Sequence, residues 1–300
     1  MTGPVPVLPP ERFPDFEGYL KRVGFKFESR PHQVFLARSG KLVVSLYESG
    51  KVVIAGVDAQ LEKEVRWYLS KLGAAGEALP EVLASAAGKT RIGTDETGKG
   101  DYFGPLVVAG ALVDEWSEKR LLAMGVKDSK KLSDKRAMEL EKDIKRVLGD
   151  GKWEVLRIDP EKYNRLYSEM GNLNGILAWA HARVIENLLG RNTECTLAVV
   201  DQFSAASLAK ALMQKGRDIR IVQSVRGERD MAVAAASVLA RAGFLRRLER
   251  MGEELGMELP KGAGAVEGAA RMIVETRGKE ILPKFAKMHF RTTRKVIDGR

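Results

Sequence analysis

Two adjacent acids, Asp95 and Glu96, stand inside the glycine-rich stretch Gly-Thr-Asp-Glu-Thr-Gly-Lys-Gly at positions 93–100. Carboxylate oxygens are the ligands that hard cations such as Mg²⁺ prefer. Glycines allow backbone N–H groups to approach a sugar or a phosphate closely. The stretch therefore indicates a divalent-metal site beside a backbone surface for a nucleotide, with two solvated acids in a loop as the alternative.

The same stretch also matches the first seven positions of the phosphate-loop pattern G-x-x-x-x-G-K-[ST] of nucleotide hydrolases. Gly100 stands where that pattern needs a hydroxyl group for Mg²⁺, and two carboxylates would face the phosphate anions. The residues after Gly100 are strand-like and include Pro105, whereas a phosphate loop leads into a helix N-terminus. These departures disfavour a nucleotide hydrolase.

Further candidate carboxylates follow in the second half of the chain. Asp201 ends an apolar run that begins at Thr196, and a charge at the end of a buried strand is costly unless it is paired or metal-bound. Asp201 could also cap a helix that starts at Ser204. Glu228 lies just before a helix rich in small residues, and we assign the N-cap of that helix to Asp230.

Other catalytic residue types are scarce in the sequence. The three histidines, His32, His181 and His289, fall in unrelated contexts, and each is expected at the surface or in packing rather than as a general base. The single cysteine, Cys195, starts an apolar strand and is expected in the core. One cysteine also excludes an intramolecular disulfide framework and a multi-cysteine zinc site.

Alternating strands and helices have to position these acids. Successive side chains of a strand point to opposite faces, so we expect the first strand to end at Asp95 and the glycine turn to redirect Glu96. The predicted strands are 91–95, 103–114, 153–159, 196–203 and 219–225. The predicted helices are 134–148, 160–167, 174–189, 204–214, 230–254 and 265–277. This order predicts an α/β fold with a mixed sheet flanked by helices.

A smaller α+β unit precedes this section. A helix over 11–23, three β-rich stretches separated by Ser-Gly turns within 34–56, and a helix over 59–72 are expected. An Ala- and Gly-rich linker over 73–90 follows. We therefore predict an N-terminal domain with its linker over 1–85 and a catalytic domain over 86–300.

The charge balance adds a weak indication of the partner. The chain of 300 residues carries a formal charge of +10, which favours a polyanion. Residues 1–90 contain 12 Lys and Arg against 10 Asp and Glu, so most of the excess lies after residue 90. No secretory signal and no apolar run long enough for a membrane span is visible, so a cytoplasmic protein is expected.

Four motifs together resemble the bacterial ribonuclease HIII family of type 2 ribonucleases H. They are residues 93–105, Lys-Asp-Ser-Lys-Lys-Leu-Ser over 127–133, Val200-Asp201, and Ala-Ala-Ala-Ser over 234–237. The resemblance implies a ribonuclease H-like catalytic domain preceded by a small TATA-binding-protein-like domain that binds substrate. It also implies cleavage of the RNA strand of RNA–DNA hybrids with two Mg²⁺ or Mn²⁺ ions, leaving 5′-phosphate and 3′-hydroxyl ends.

The family's four metal-binding and catalytic acids correspond here to Asp95, Glu96, Asp201 and Glu228. The fourth acid of the family stands one residue farther from the helix serine, at a position that is Gly227 here. Either the loop is one residue shorter and Glu228 serves, or Asp230 takes the role.

The resemblance also assigns residues to the substrate. It places Gly98, Lys99 and Gly100 at the ribose 2′-hydroxyl. Phosphate contacts are expected from Lys127, Lys130 and Lys131, and Ser129 and Ser237 are also expected to bind substrate. A solvated loop remains the alternative for the lysines.

The expected partner is an RNA–DNA hybrid, with no obligate protein partner and a monomeric chain. The alternatives are ribonuclease HII-like cleavage at single embedded ribonucleotides and a non-catalytic hybrid-binding protein.

Overall fold

The computed structural model describes residues 6–76, 86, 88–126, 132–201, 219–224 and 229–298, without the side chains of residues 75, 76, 201, 223 and 224. The chain divides into two compact units, Met1–Leu79 and Pro80–Arg300. Each unit has its own hydrophobic core. Of the helices described, none combines the length and apolar character that crossing a bilayer requires.

The first unit is a four-stranded antiparallel sheet with two helices. The sequence predicted both helices and three of these strands, but not the strand Lys26–Glu28. The sheet order is β2-β3-β4-β5. Its elements are β1 (Pro6–Val7), α1 (Phe13–Arg22), β2 (Lys26–Glu28), β3 (Gln33–Ser39), β4 (Leu42–Tyr47), β5 (Val52–Gly56), α2 (Ala59–Lys71) and β6 (Ala75–Gly76). Apolar side chains of α1 and α2 share one core with alternate residues of β3 and β4. The helices therefore cover one face of this sheet.

The second unit is built on a five-stranded mixed sheet. The strands are β7 (Arg91–Thr97), β8 (Leu106–Val113), β9 (Trp153–Ile158), β10 (Leu197–Asp201) and β11 (Arg220–Ser224). Their order is β11-β10-β7-β8-β9. β7 lies in the centre, where it pairs in parallel with β10 and antiparallel with β8. The predicted mixed α/β architecture is confirmed.

The helices described in the second unit pack on both faces of this sheet. They are α3 (Glu115–Ala123), α4 (Asp134–Leu148), α5 (Pro160–Met170), α6 (Leu173–Leu189), α7 (Met231–Leu255), α8 (Glu267–Arg277) and α9 (Arg291–Ile297). The sequence did not predict α3 or α9. The helix predicted over 204–214 lies outside the described residues.

The long helix α7 lies directly on the backbone of β7. A Cβ atom on Gly93 would come within 2.2 Å of the backbone of Ala232 and Val233. Farther along, a Cβ on Gly98 would meet the ring of Phe244 at 3.0 Å. Helix and strand therefore run side by side in the same direction. On the opposite face of the sheet, the missing side chain of Gly110 leaves similar space for side chains of α6.

We expect Gly93→Ala to destabilise the fold, because its methyl group would overlap helix backbone that cannot rotate away. Overpacking of this kind costs about 1–3 kcal/mol in unfolding free energy. Gly268→Ala is the matched control, since a Cβ there meets nothing within 4 Å. Urea unfolding of the full chain measures both changes, and equal stability of the two variants would contradict the proposed constraint.

Candidate active site

Asp95 and Glu96 lie near the end of β7, which continues through Thr97. The expectation that the strand ends at Asp95 was therefore wrong. The two side chains alternate as in a regular strand. Asp95 lies on the same face as Gly93, toward α7, whereas Glu96 lies toward α6. Both nevertheless line one groove, together with residues 97–101 that follow them.

Glu96 is held by a partner on each oxygen. Its Oε2 lies 3.2 Å from Nε2 of His181, and its Oε1 accepts a hydrogen bond of 2.6 Å from Nζ of Lys99. Burial by itself raises the pKa of Glu96, but the contacts with His181 and Lys99 outweigh it and hold the pKa at about 2. Glu96 is therefore an anion at neutral pH, although only 5% of its side chain is exposed.

Asp95 is half-buried beside it, and its Oδ1 accepts a hydrogen bond of 2.8 Å from the backbone N–H of Glu96. Asp201 ends β10, whose Val200 pairs in parallel register with Thr94 of β7. The backbone of Asp201 therefore stands beside that of Asp95 at the same end of the sheet. The side chain of Asp201 lies outside the described part of the structure.

Five predicted site residues lie outside the described residues: Lys127, Ser129, Lys130, Lys131 and Glu228. Asp230, the alternative to Glu228, lies within the described residues, and its side chain is bonded to residues outside the groove. Its Oδ1 accepts hydrogen bonds from the backbone of Ala232 and Val233, and its Oδ2 forms an ion pair of 2.6 Å with Nε of the buried Arg91. Arg91 begins β7, whereas Asp95 lies near its other end. Asp230 thus holds the helix start and not the groove.

The groove at this edge has a volume of about 460 Å³. Its lining includes Gly98, Lys99, Gly100 and Ser237, which the sequence analysis assigned to substrate. It also includes residues that the sequence analysis did not assign: Asp101, Asp134, Arg241 and Lys261. Arg241 and Lys261 both pair with Asp134. Cationic side chains therefore stand around an acidic centre.

Gly98 and Gly100 differ in whether the fold requires a glycine at their positions. Gly98 has a φ of +97°, and a Cβ there would lie 2.1 Å from the carbonyl oxygen of Pro105. Gly98 is therefore required by the fold of the turn. Gly100 has an ordinary φ and open space where a Cβ would stand. Its lack of a side chain is not needed for packing within the unit.

Lys287 supports the glycine turn from behind. Its Nζ is fully buried and donates hydrogen bonds to the carbonyl oxygens of Asp101 and Gly104, at 2.8 and 2.7 Å. Neighbouring backbone bonds join Lys287 to Tyr102 and Gly104 to Phe285. The C-terminal stretch 284–300 contains six Lys and Arg residues against one Asp. One of these lysines, Lys287, thus holds the loop of the site and is not available to a nucleic acid.

His181 is a further residue beside the candidate site that the sequence did not predict. Its side chain is fully buried, as expected for packing, but its ring contacts Glu96. A polar ring between alanines in an apolar helix marks a buried polar contact. The sequence alone does not show what that contact is.

The donors of the site suit a hard divalent cation, since ionised carboxylates at a groove are its preferred ligands. In the residues that the structure describes, no group of three or more His, Cys, Asp and Glu side chains is arranged to hold a metal ion. The carboxylate donors described at β7 are those of Asp95 and Glu96.

Comparisons with known proteins connect this geometry with a family. A family model described as ribonuclease HII matches residues 92–293. Ribonuclease HIII of Chlamydia abortus is 38% identical over 95% of this chain and 96% of its own length. Ribonuclease HIII of Chlamydia pneumoniae is 39% identical over 94% of this chain and 93% of its own. The chain belongs to the ribonuclease HIII family.

A solved member of the ribonuclease HIII family agrees with this assignment along the whole length. The crystal structure of Bst-RNase HIII in complex with Mn²⁺ has a TM-score of 0.69 and 31% identity, and the match covers 98% of both chains. The similarity thus includes the first unit as well as the catalytic one. Mn²⁺ in that relative agrees with the hard donors found here.

The position of Asp230 leads to a test of its role. We expect Asp230→Asn to keep the helix cap but to lose the ion pair with Arg91, which retains Glu118 as a partner at 2.6 Å. The unfolding free energy should fall by about 3 kcal/mol. Metal-dependent nuclease activity per folded molecule should stay near that of the wild type.

Chemical unfolding and nuclease assays at a temperature where the variant is folded measure the two effects. Glu118→Gln is the control, because it also weakens the partners of Arg91 without touching the helix cap. Loss of activity in Asp230→Asn alone would identify Asp230 as the fourth catalytic acid.

Proposed function

We propose that this protein is an endonuclease that hydrolyses the RNA strand of RNA–DNA hybrids and leaves 5′-phosphate and 3′-hydroxyl ends. The observation that carries the proposal is that Asp95 and Glu96 line one groove, at the edge where β10 brings the backbone of Asp201. The glycine turn 98–100 borders the same groove. Full-length relatives named ribonuclease HIII support the reaction class.

The carboxylates proposed to hold the metal ions are Asp95, Glu96, Asp201 and Glu228. Two divalent cations bound there would activate a water molecule and stabilise the leaving 3′-oxygen. The chain's own contribution is to keep Glu96 ionised inside a largely buried site. His181 and Lys99 achieve this by contacting its two oxygens.

The residues around the acids are proposed to hold the substrate. The backbone of Gly98, Lys99 and Gly100 would approach the ribose 2′-hydroxyl, the group that distinguishes RNA from DNA. Ser237 lines the groove from α7, and Lys261 adds a positive charge at its border. Lys127, Lys130 and Lys131 are proposed to contact phosphates, and Ser129 is proposed to bind substrate.

The partner is proposed to be the hybrid duplex, with the chain acting as a cytoplasmic monomer. The N-terminal domain, residues 1–85, is proposed to bind the hybrid. Its sequence is nearly balanced in charge, so shape and a few placed side chains would have to provide the binding.

The catalytic proposal is tested by Asp95→Asn on a labelled RNA–DNA hybrid with Mg²⁺. We expect cleavage to fall by more than about 100-fold, since even partners of metal ligands contribute 10–100-fold. Hybrid binding should remain. A variant as active as the wild type would refute the site, and a wild type that binds the hybrid without cleaving it would establish a non-catalytic binder.

A substitution at Gly100 tests whether the substrate comes close to the turn without changing the stability of the fold. We expect Gly100→Ala to keep wild-type stability, because the added methyl group meets no protein atom within 4 Å. Its effect on hybrid cleavage should be about 10-fold or more if the substrate occupies that space. Steady-state kinetics and thermal unfolding measure the two quantities, with Gly268→Ala as control. Unchanged kinetics would remove Gly100 from the substrate surface.

The role of the first unit is tested by deleting residues 1–85. The catalytic unit has its own core, so we expect it to fold and to keep its Mg²⁺ requirement. Hybrid affinity should fall strongly. Titration of hybrid by fluorescence anisotropy and titration of Mg²⁺ by cleavage separate the two effects. Unchanged affinity would contradict a binding role for this unit.

A further inference from the structure

His181 lies in the middle of α6, on the face that packs against the sheet, and none of its side chain is exposed. The residues beside it are Ala180 and Ala182. Farther along α6, Val184 packs where Gly110 of β8 has no side chain, since a Cβ there would lie 2.5 Å from it. This close approach brings the imidazole ring within reach of β7.

Both ring nitrogens have a partner on β7. Nδ1 lies 2.8 Å from Oγ1 of Thr94, and Nε2 lies 3.2 Å from Oε2 of Glu96. Thr94 and Glu96 are two residues apart and therefore share one face of the strand. An ionised carboxylate has no proton to donate, so Nε2 is the donor in this bond. The Thr94 hydroxyl can donate or accept, and it fits either form of the ring.

The other oxygen of Glu96, Oε1, lies on the side of Lys99, and both residues line the groove. Oε1 is paired with Lys99, whose side chain is 55% exposed, while the His181 ring on Oε2 is fully buried. The carboxylate is thus fixed by a buried ring on one oxygen, while its other oxygen is covered by an exposed lysine that can move aside. A side chain with this arrangement can present one oxygen to a cation without losing its orientation.

We propose that His181 is a positioning residue that orients Glu96 for metal binding, with Thr94 fixing the ring. This inference rests on the proposed function, because it takes Glu96 as a metal ligand. His181 acts through Glu96 and does not itself contact substrate. Hydrogen-bond partners of metal ligands contribute about 10–100-fold to metal affinity or activity, so an effect of this size is expected.

Three substitutions separate the two bonds of the ring. His181→Gln keeps an N–H donor toward Glu96, His181→Asn keeps a polar partner for Thr94 alone, and His181→Leu removes both. The control is Val184→Ala, which removes packing from the same helix without touching Glu96. Mn²⁺ binding to the full chain is measured by isothermal titration calorimetry, beside thermal unfolding and hybrid cleavage.

We expect His181→Leu and His181→Asn to weaken Mn²⁺ binding by about 10–100-fold, and His181→Gln to retain most of the affinity. Val184→Ala should bind Mn²⁺ as the wild type does, whatever its stability. Equal affinities of the Gln and Asn variants, or wild-type affinity of the Leu variant, would overturn the proposal. Because calorimetry does not need cleavage, a wild type that binds Mn²⁺ but leaves the hybrid intact would refute the proposed function alone.

Discussion

The direct contact between α7 and the backbone of β7 is the constraint on which the catalytic unit depends. At Gly93 the two backbones leave no room for a side chain. A helix advances about 1.5 Å and a strand about 3.3 Å per residue. The twelve residue-to-residue steps from Ala232 to Phe244 therefore span about the same length as the five steps from Gly93 to Gly98. This match places Ser237 beside the acids and Phe244 beside the glycine turn.

A buried ion pair fixes the start of this alignment. Arg91 is the first residue of β7, and 1% of its side chain is exposed. It forms ion pairs with Asp230, the N-cap of α7, and with Glu118 of α3. Breaking such a pair leaves a buried charge without compensation, which is far more costly than losing a surface pair. Asp230, the acidic residue at the start of α7, thus stabilises the fold. Asp95 and Glu96, near the other end of β7, line the groove instead.

Local sequence patterns predicted most of the helices and strands that the structure describes. Helix α4 was predicted residue for residue, because Ser133 caps its start and Gly149 ends it. The central sheet followed from apolar runs. Helix α3 was missed, since its exposed Trp116 and Leu122 break any apolar periodicity. The course of β7 past Asp95 was also missed, because pairing with β8 extends the strand through Thr97.

Contacts between distant parts of the chain were beyond sequence reasoning. The acids at 95 and 96 were recognisable from their glycine-rich surroundings, and the position of Asp201 from the end of its apolar run. The partners of Glu96 and Asp230 were not, because His181 and Arg91 lie 85 and 139 residues away from them. Residues of ordinary type acquire such roles only through tertiary packing.

The support of the glycine turn by Lys287 has a consequence for the order in which the site is made. The turn near residue 100 is fastened by residues that follow it by more than 180 positions. During synthesis from the N-terminus, β7 and its acids are complete long before Lys287 has been added. A growing chain therefore carries Asp95 and Glu96 well before it carries the lysine that fastens the neighbouring turn.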